Sequence, residues 1–136
     1  MPEPAGERLP FFVYGTLRPG ERYHAEFLAG RTASETPATL AGVLLYEGPG
    51  YPYAVAVPSG VVHGALVIPR PEAYEAVLHD LDLLEDGYDR VVCRAVVDGA
   101  PVRAWVYLAA EPLASRLRAS GRVIEGGDWL RGAPSA

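Results

Sequence analysis

Short apolar segments alternate with turn residues along most of the chain, and this pattern predicts a sheet built from many short strands. Glycine and proline account for 15 and 13 of the 136 residues and are spread through the sequence, so they separate the segments instead of forming a linker. Roughly six strands are predicted in this way: Leu9–Tyr14, Thr39–Tyr46, Tyr53–Val57, Val61–Ile68, Val91–Val97 and Val102–Leu108.

Two short turns each separate a pair of these strands and predict β-hairpins. Asp98-Gly99 is a dipeptide that favours the tight two-residue hairpin turn. Pro58-Ser59-Gly60 has the composition of a second such turn. Because hairpins pair their strands in antiparallel fashion, the fold class predicted is α+β, with a mostly antiparallel sheet, one main helix and one or two short helices.

The main helix is predicted from Glu72 to about Glu85, and a short helix from Glu21 to Ala29. At about 100° per residue, the apolar side chains of the main helix fall on one arc: Ala73, Tyr74, Val77, Leu78, Leu81 and Leu84. The opposite side carries polar residues: Glu72, Glu75, His79, Asp82 and Asp86. Leu83 faces the polar side, so we expect it to be exposed.

Glu85 is the acid of this helix that does not follow the pattern. It comes four residues after Leu81 and seven after Leu78, so it points with the leucines. A carboxylate on a buried face is desolvated, which raises its pKa toward neutrality and suits it to act as a general base. Two other interpretations stay open from periodicity alone: the side chain bends to water at the helix end, or it pairs with Arg90.

Charge and composition exclude several classes of protein. The chain has 17 acidic and 12 basic residues, the latter all arginine, and a formal net charge of -5, so we expect no nucleic-acid or anionic-membrane partner. No apolar run approaches the ~18 residues of a membrane-spanning helix. The N-terminal MPEPAGERLPFFVYG does not resemble a secretory signal peptide, because acids and a proline precede its apolar stretch. We expect a cytoplasmic protein.

A metal site is not expected. The single cysteine, Cys93, alternates with Val91 and Ala95 and is best interpreted as strand packing. Five acids lie between Asp80 and Asp89, but a calcium loop beginning at Asp80 would place Leu84 where an oxygen ligand is needed. Apart from Glu85, the acids of this cluster are expected to form a solvated face and turn: Asp80, Asp82, Asp86 and Asp89.

The segment Tyr14-Gly15-Thr16-Leu17-Arg18-Pro19-Gly20 follows the first strand and is the second unusual feature. A strand that runs into a glycine and a short polar turn can present consecutive backbone N–H groups to an anion or oxyanion. It is not a phosphate-binding P-loop, because the required lysine is missing. The simpler interpretation is a tight turn in which Gly15 supplies a positive φ angle.

Other candidate side chains are less informative. The histidines His24, His63 and His79 occupy different elements and form no recognisable catalytic set. Four tyrosines could give polar tips to a pocket, although each is explained as well by packing: Tyr51, Tyr53, Tyr88 and Tyr107.

Taken together, these segments resemble a known family. Tyr14–Gly20 is similar to the N-terminal signature of the gamma-glutamylcyclotransferase-like superfamily, and most closely to the branch that contains gamma-glutamylamine cyclotransferase. Leu81-Asp82-Leu83-Leu84-Glu85 with Tyr88-Asp89-Arg90 resembles its second signature, and Gly127-Asp128-Trp129 is also similar. The resemblance covers residues 9–131 as one domain, with loose tails expected over 1–8 and 132–136.

The resemblance implies a small, strongly curved sheet partly closed into a barrel, with helices packed around it. It also implies a pocket between the glycine turn and Glu85, with Glu85 as the catalytic general acid/base. The residues implied to bind substrate are Tyr14, Gly15, Thr16, Leu17 and Tyr88. No metal or organic cofactor is implied.

The activity implied is cyclisation of the γ-glutamyl group of an amine or amide to 5-oxoproline, with release of the free amine. The partner would be a small-molecule γ-glutamyl substrate and the enzyme of acyltransferase or lyase type. Two alternatives stay open: removal of a γ-glutamyl protecting group in a natural-product pathway, and a non-catalytic binding domain on the same fold. The loops at Pro49–Tyr53 and Glu111–Gly127 are expected to line the amine side, the oligomeric state is open, and a monomer is compatible with the sequence.

Overall fold

The computed structural model describes residues 8–18 and 20–129, so the predicted tails lie outside it apart from Arg8. The strands are β1 (Phe11–Val13), β2 (Thr32–Glu47), β3 (Pro52–Pro69), β4 (Tyr88–Val97) and β5 (Ala100–Ala109). The α-helices are α1 (Arg22–Phe27), α2 (Tyr74–Leu84) and α3 (Leu113–Ser120). Single 3-10 turns cover Pro71–Ala73 and Glu125–Gly127.

The strands hydrogen-bond in a ring, in the order β1-β3-β2-β4-β5, and close into a small barrel. All neighbours are antiparallel except β1 and β5, which run parallel and meet at Phe11 and Trp105. A second narrow seam joins β2 to β4 at Thr39 and Val96. The predicted α+β class with a curved, mostly antiparallel sheet is therefore confirmed, and closure of the sheet is complete.

The predicted hairpin at Pro58-Ser59-Gly60 is wrong. β3 runs continuously through these residues, and its hairpin turn with β2 lies earlier, between Glu47 and Pro52. The reason lies on the partner strand: Ala41 pairs with Val61 and Val43 with Ala56, so residues 57–60 oppose Gly42 alone. The turn composition marks an irregularity inside a strand, and the described sheet has five strands instead of six.

The hairpin at Asp98-Gly99 is confirmed. Both residues have positive φ, 51° and 80°, as the tight two-residue turn that matches strand twist requires. Val97 consequently pairs with Ala100, and the register carries on down both strands to place Arg90 opposite Tyr107.

The apolar arc of α2 packs on the outside of the barrel. Tyr74, Val77 and Leu81 are buried, whereas Leu83 is 65% exposed as expected. β1 lies under this helix and is buried on both faces, which explains its unbroken apolar sequence: Phe12 faces the barrel interior, while Phe11 packs with the helix. Within the described residues, no helix combines the length and apolarity needed to cross a membrane.

Candidate active site

A cavity of about 230 Å³ lies between the turn after β1 and the C-terminal end of α2. Every residue that the sequence assigned to a site lines this one cavity: Tyr14, Gly15, Thr16, Leu17, Glu85 and Tyr88. Tyr51 and Pro52 also line it, as expected for the loop at 49–53. The expectation for the other loop was wrong, because residues 111–127 contribute nothing to the described lining.

The turn after β1 is held by its own main chain and by a close neighbour. The N–H of Arg18 donates to the carbonyl of Gly15 at 3.0 Å, and the N–H of Tyr23 donates to Thr16 at 2.9 Å. A Cβ on Gly15 would lie 2.8 Å from two ring carbons of Pro52. Gly15 does not have a positive φ, so the predicted reason for this glycine was wrong: the close approach of the Pro52 ring requires it.

The N–H groups of the turn are the polar groups it offers to a ligand. Over the part of the chain that is described, no main-chain hydrogen bond uses the N–H of Gly15, Thr16 or Leu17. Backbone N–H groups in such a turn can donate to a carboxylate or to a developing oxyanion. The turn therefore has the chemistry to hold the anionic part of a substrate.

Glu85 is the first residue after α2. Its N–H donates to the carbonyl of Leu81 at 2.9 Å, and its own carbonyl accepts the N–H of Tyr88 at 2.9 Å. These bonds fix the backbone at the helix end while the side chain lines the cavity. Burial raises the pKa of this carboxyl from 4.5 to about 7, so it can exchange a proton near neutral pH.

Arg90 does not pair with Glu85. Its Nε donates to Oδ1 of Asp82 at 2.9 Å, and its guanidinium lies over the ring of Trp105, 4.3 Å from the ring centroid. The open interpretation that Glu85 pairs with Arg90 is therefore wrong, because this arginine pairs with another acid of the cluster. Among the described side chains, burial is the cause of the raised pKa of Glu85, and Arg90 does not offset it.

Two tyrosines, Tyr14 and Tyr88, line the cavity together with Glu85. Tyr14 donates to the carbonyl of Tyr107 at 2.5 Å, and Tyr88 donates to the carbonyl of Pro52 at 3.4 Å. Burial raises the pKa of both hydroxyls and the charge of Glu85 raises it further, so both stay protonated and act as hydrogen-bond donors. The Tyr88 ring stacks on Tyr53 with centroids 5.9 Å apart, which joins the cavity wall to the β2–β3 hairpin.

Sequence reasoning missed the roles of Asp82 and Tyr107. Asp82 was expected to be solvated; it is exposed, but its Oδ1 accepts bonds from Arg90 and from the hydroxyl of Tyr107 at 2.7 Å. Tyr107 lines the cavity from β5. The tight turn at Asp98-Gly99 was the available signal, because its register alone places Tyr107 beside Arg90.

The C-terminal motif Gly127-Asp128-Trp129 contacts the glycine turn that follows β1. Nη1 of Arg18, in the glycine turn, donates to Oδ1 of Asp128 at 2.7 Å and to the carbonyl of His63 at 3.4 Å. Both charged side chains are largely buried, with 15% and 13% of their surface exposed. The C-terminal segment thus anchors the turn through Arg18 and Asp128, neither of which lines the cavity. The described residues contain no group of three or more His, Cys, Asp or Glu side chains placed to hold a metal ion.

Comparison with known proteins gives consistent matches. The family model described as gamma-glutamyl cyclotransferase, AIG2-like, matches residues 11–131. A curated protein of Niallia circulans, gamma-L-glutamyl-butirosin B gamma-glutamyl cyclotransferase, is 31% identical over 106 residues. That match covers 71% of this chain and 64% of the relative's own length.

Solved structures share the fold. An AIG2-like protein from Mus musculus is 25% identical with a TM-score of 0.61, over 75% of this chain and 77% of that one. A protein from Arabidopsis thaliana is 28% identical with a TM-score of 0.58, over 82% of this chain and 74% of that one.

Proposed function

The chain belongs to the AIG2-like gamma-glutamyl cyclotransferase family, and from this we propose that it converts a γ-glutamyl amine or amide to 5-oxoproline and the free amine, with Glu85 as general acid/base. One observation carries the proposal. A buried carboxyl with a pKa of about 7 lines the same cavity as a turn of backbone N–H groups. A group titrating near neutral pH can both take up and return a proton, which this reaction requires of a single residue.

The reaction is an intramolecular acyl transfer. The α-amine of the glutamyl group attacks its own γ-carbonyl carbon, and a C–N bond forms that closes the five-membered ring. The bond to the leaving nitrogen then breaks, and no water is consumed. Because both reacting groups belong to one molecule, holding the chain in a folded conformation supplies much of the rate acceleration. A cavity of about 230 Å³ limits the conformations that a bound γ-glutamyl group can adopt.

Glu85 would handle the protons of both steps. As the carboxylate it takes a proton from the α-ammonium group, which makes the attacking amine. As the carboxylic acid it then gives this proton to the leaving nitrogen. The ring nitrogen loses its remaining extra proton to the released amine, which leaves as an ammonium ion. The N–H groups of Gly15, Thr16 and Leu17 would hold the substrate carboxylate or the oxyanion that forms on the γ-carbonyl oxygen. The hydroxyls of Tyr14 and Tyr88 remain protonated and would add polar contacts.

A second candidate function concerns the leaving group. The relative from Niallia circulans is described as acting on gamma-L-glutamyl-butirosin B, which supports removal of a γ-glutamyl group from a larger amine in a biosynthetic pathway. The chemistry at Glu85 would be the same. The two candidates differ only in the amine that leaves.

Turnover of a substrate panel tests both candidates. The panel contains small γ-glutamyl amines, γ-glutamyl dipeptides, glutathione and gamma-L-glutamyl-butirosin B, and 5-oxoproline release is measured for each. The variant Glu85→Gln keeps the size of the side chain but cannot exchange a proton. We expect it to lose at least ~100-fold in kcat, since general acid/base groups contribute roughly 100- to 10,000-fold.

Glu75→Gln is the matched control, because Glu75 lies on the same helix with 72% of its side chain exposed. It should retain full turnover. A folded Glu85→Gln protein with unchanged kcat would refute the role of Glu85. Activity on no member of the panel, together with a rise in melting temperature on adding a γ-glutamyl compound, would instead identify a binding domain.

A further inference from the structure

Asp82 and Glu85 are separated by less than one turn of α2, yet only Asp82 has bonding partners among the described side chains. Oδ1 of Asp82 accepts from Nε of Arg90 at 2.9 Å and from Oη of Tyr107 at 2.7 Å. The Asp82 side chain is 41% exposed and the Arg90 side chain 27% exposed. Both residues neighbour Tyr107, which lines the cavity, so the pair lies beside the cavity without lining it. The proposed mechanism does not use either residue.

The sheet brings Arg90 close to the site of Glu85. Arg90 pairs directly across from Tyr107 in the β4–β5 hairpin, and Tyr107 lines the cavity. Tyr88, two residues earlier on β4, projects from the same face of the strand and also lines the cavity. The charges of Asp82, Arg90 and Glu85 all influence the pKa of the Tyr107 hydroxyl, so all three groups lie in its neighbourhood.

From this arrangement we propose that Asp82 is a positioning residue: it holds the Arg90 guanidinium at the edge of the cavity and thereby keeps it from pairing with the Glu85 carboxylate. The inference rests on the proposed acid/base role of Glu85. The ring of Trp105 supports the same position of Arg90 from its other side, 4.3 Å from the guanidinium carbon. Without Asp82, the carboxylate of Glu85 becomes a competing partner for Arg90.

Pairing with Arg90 would make Glu85 a weaker general base. A neighbouring cation favours the charged form of a carboxyl and lowers its pKa, which would reduce the basicity that burial confers. Burial is the cause of the raised pKa of Glu85, and the proposed part of Asp82 is to hold Arg90 away from this carboxyl. Other titratable groups share the cavity or border it, and all of them stay in place in the experiment below: Tyr14, Tyr23, Tyr51, Tyr88, Tyr107 and Asp86.

The test follows the titration of Glu85 directly by 13C NMR of protein labelled at the glutamate carboxyl carbons, with Glu85→Gln used to assign the resonance. In Asp82→Ala the midpoint of Glu85 should fall by about one to two pH units, as expected for a carboxylate that gains an arginine partner. In the double variant with Arg90→Ala the midpoint should return toward the wild-type value. In each variant, the acidic limb of the pH profile of kcat/KM should move in the same direction as the Glu85 midpoint.

Asp80→Ala is the matched control, because Asp80 is an acid of the same helix with its own arginine partner, Arg31, at 3.1 Å. It should leave the midpoint of Glu85 unchanged. If Asp82→Ala does not fold, Asp82→Asn removes the charge that holds Arg90 while keeping an acceptor for Tyr107, and it should lower the midpoint in the same direction.

An unchanged Glu85 midpoint in the Asp82 variants overturns the proposal, as does a shift that persists in full when Arg90 is also removed. The NMR readout needs no substrate. It therefore stands even if the protein turns over no γ-glutamyl compound, a result that would contradict the proposed function alone.

Discussion

The ring of Pro52 lies against Gly15 so closely that a Cβ on the glycine would sit 2.8 Å from ring carbons Cγ and Cδ. This contact joins the β2–β3 hairpin to the turn after β1, and both segments line the cavity. The spacing between them therefore depends on the absence of a side chain at one position.

Gly15→Ala should move the turn away from Pro52 and misplace its N–H groups. We expect a loss of about 1–3 kcal/mol in the free energy of unfolding, as for other overpacked sites, together with reduced turnover. Urea unfolding and 5-oxoproline release measure the two effects. Pro52→Ala in the same chain removes the clashing ring atoms and should recover part of both losses; a double variant no better than Gly15→Ala would show that the contact is not the cause.

Burial of Glu85 should cost stability as pH rises. Its folded-state pKa of about 7 is above the ordinary value of 4.5, which applies in the unfolded chain. Between these pH values the folded state holds a proton that the unfolded chain has lost, so stability falls as pH increases through this window. The full effect is on the order of 3 kcal/mol. Glu85→Gln lacks it.

Urea unfolding of wild type and Glu85→Gln at pH 5 and pH 8 isolates this contribution, because other titrating groups cancel between the two proteins. The variant should gain stability relative to wild type on going from pH 5 to pH 8. An equal difference at both pH values would mean that the carboxyl titrates as it does in the unfolded chain.

The same pKa sets the pH dependence of the proposed reaction. The ionised form of Glu85 starts the reaction, so kcat/KM should decline below about pH 7, tenfold for each further unit. A profile of initial rates between pH 5 and pH 9 on the best substrate measures this limb. A limb near pH 4.5 would point to an ordinary, solvated carboxylate as the base.

Asp128→Ala should destabilise the protein and weaken substrate binding, because it removes the anchor of Arg18 in the glycine turn. A charged hydrogen bond with both partners largely buried is worth about 2 kcal/mol. Loss of the anchor should raise KM more than it lowers kcat. The comparison variant is Glu75→Ala, which breaks the exposed 3.5 Å pair with Arg8 and should change stability little.

Local sequence patterns predicted the parts of the site that depend on neighbouring residues. The period of the helix over Tyr74–Leu84 is enough to turn Glu85 inward, and the Asp98-Gly99 turn is enough to fix the register of β4 against β5. The family resemblance then related the glycine turn to Glu85, and the match over residues 11–131 confirms the family.

Features that depend on contacts between distant segments could not be predicted. The irregularity at Pro58-Ser59-Gly60 follows from the pairing of both halves of β3 with one long strand, β2, which begins at Thr32 and not at Thr39. Gly15 is a glycine because of Pro52, which reaches it only through the folded hairpin. Asp82 was expected to be solvated because the helix pattern does not show its two partners, Arg90 and Tyr107, which lie on the sheet.

The seam between β1 and β5 has a consequence for biosynthesis. A ribosome produces the glycine turn early, whereas the strand that closes the ring beside it, at Trp105, is made only after most of the chain. β1 has just three residues, and its other neighbour, β3, also comes later. The ring therefore stays open beside β1 until β5 has been made, and nascent chains that stop before β5 carry both signature motifs without a closed cavity between them.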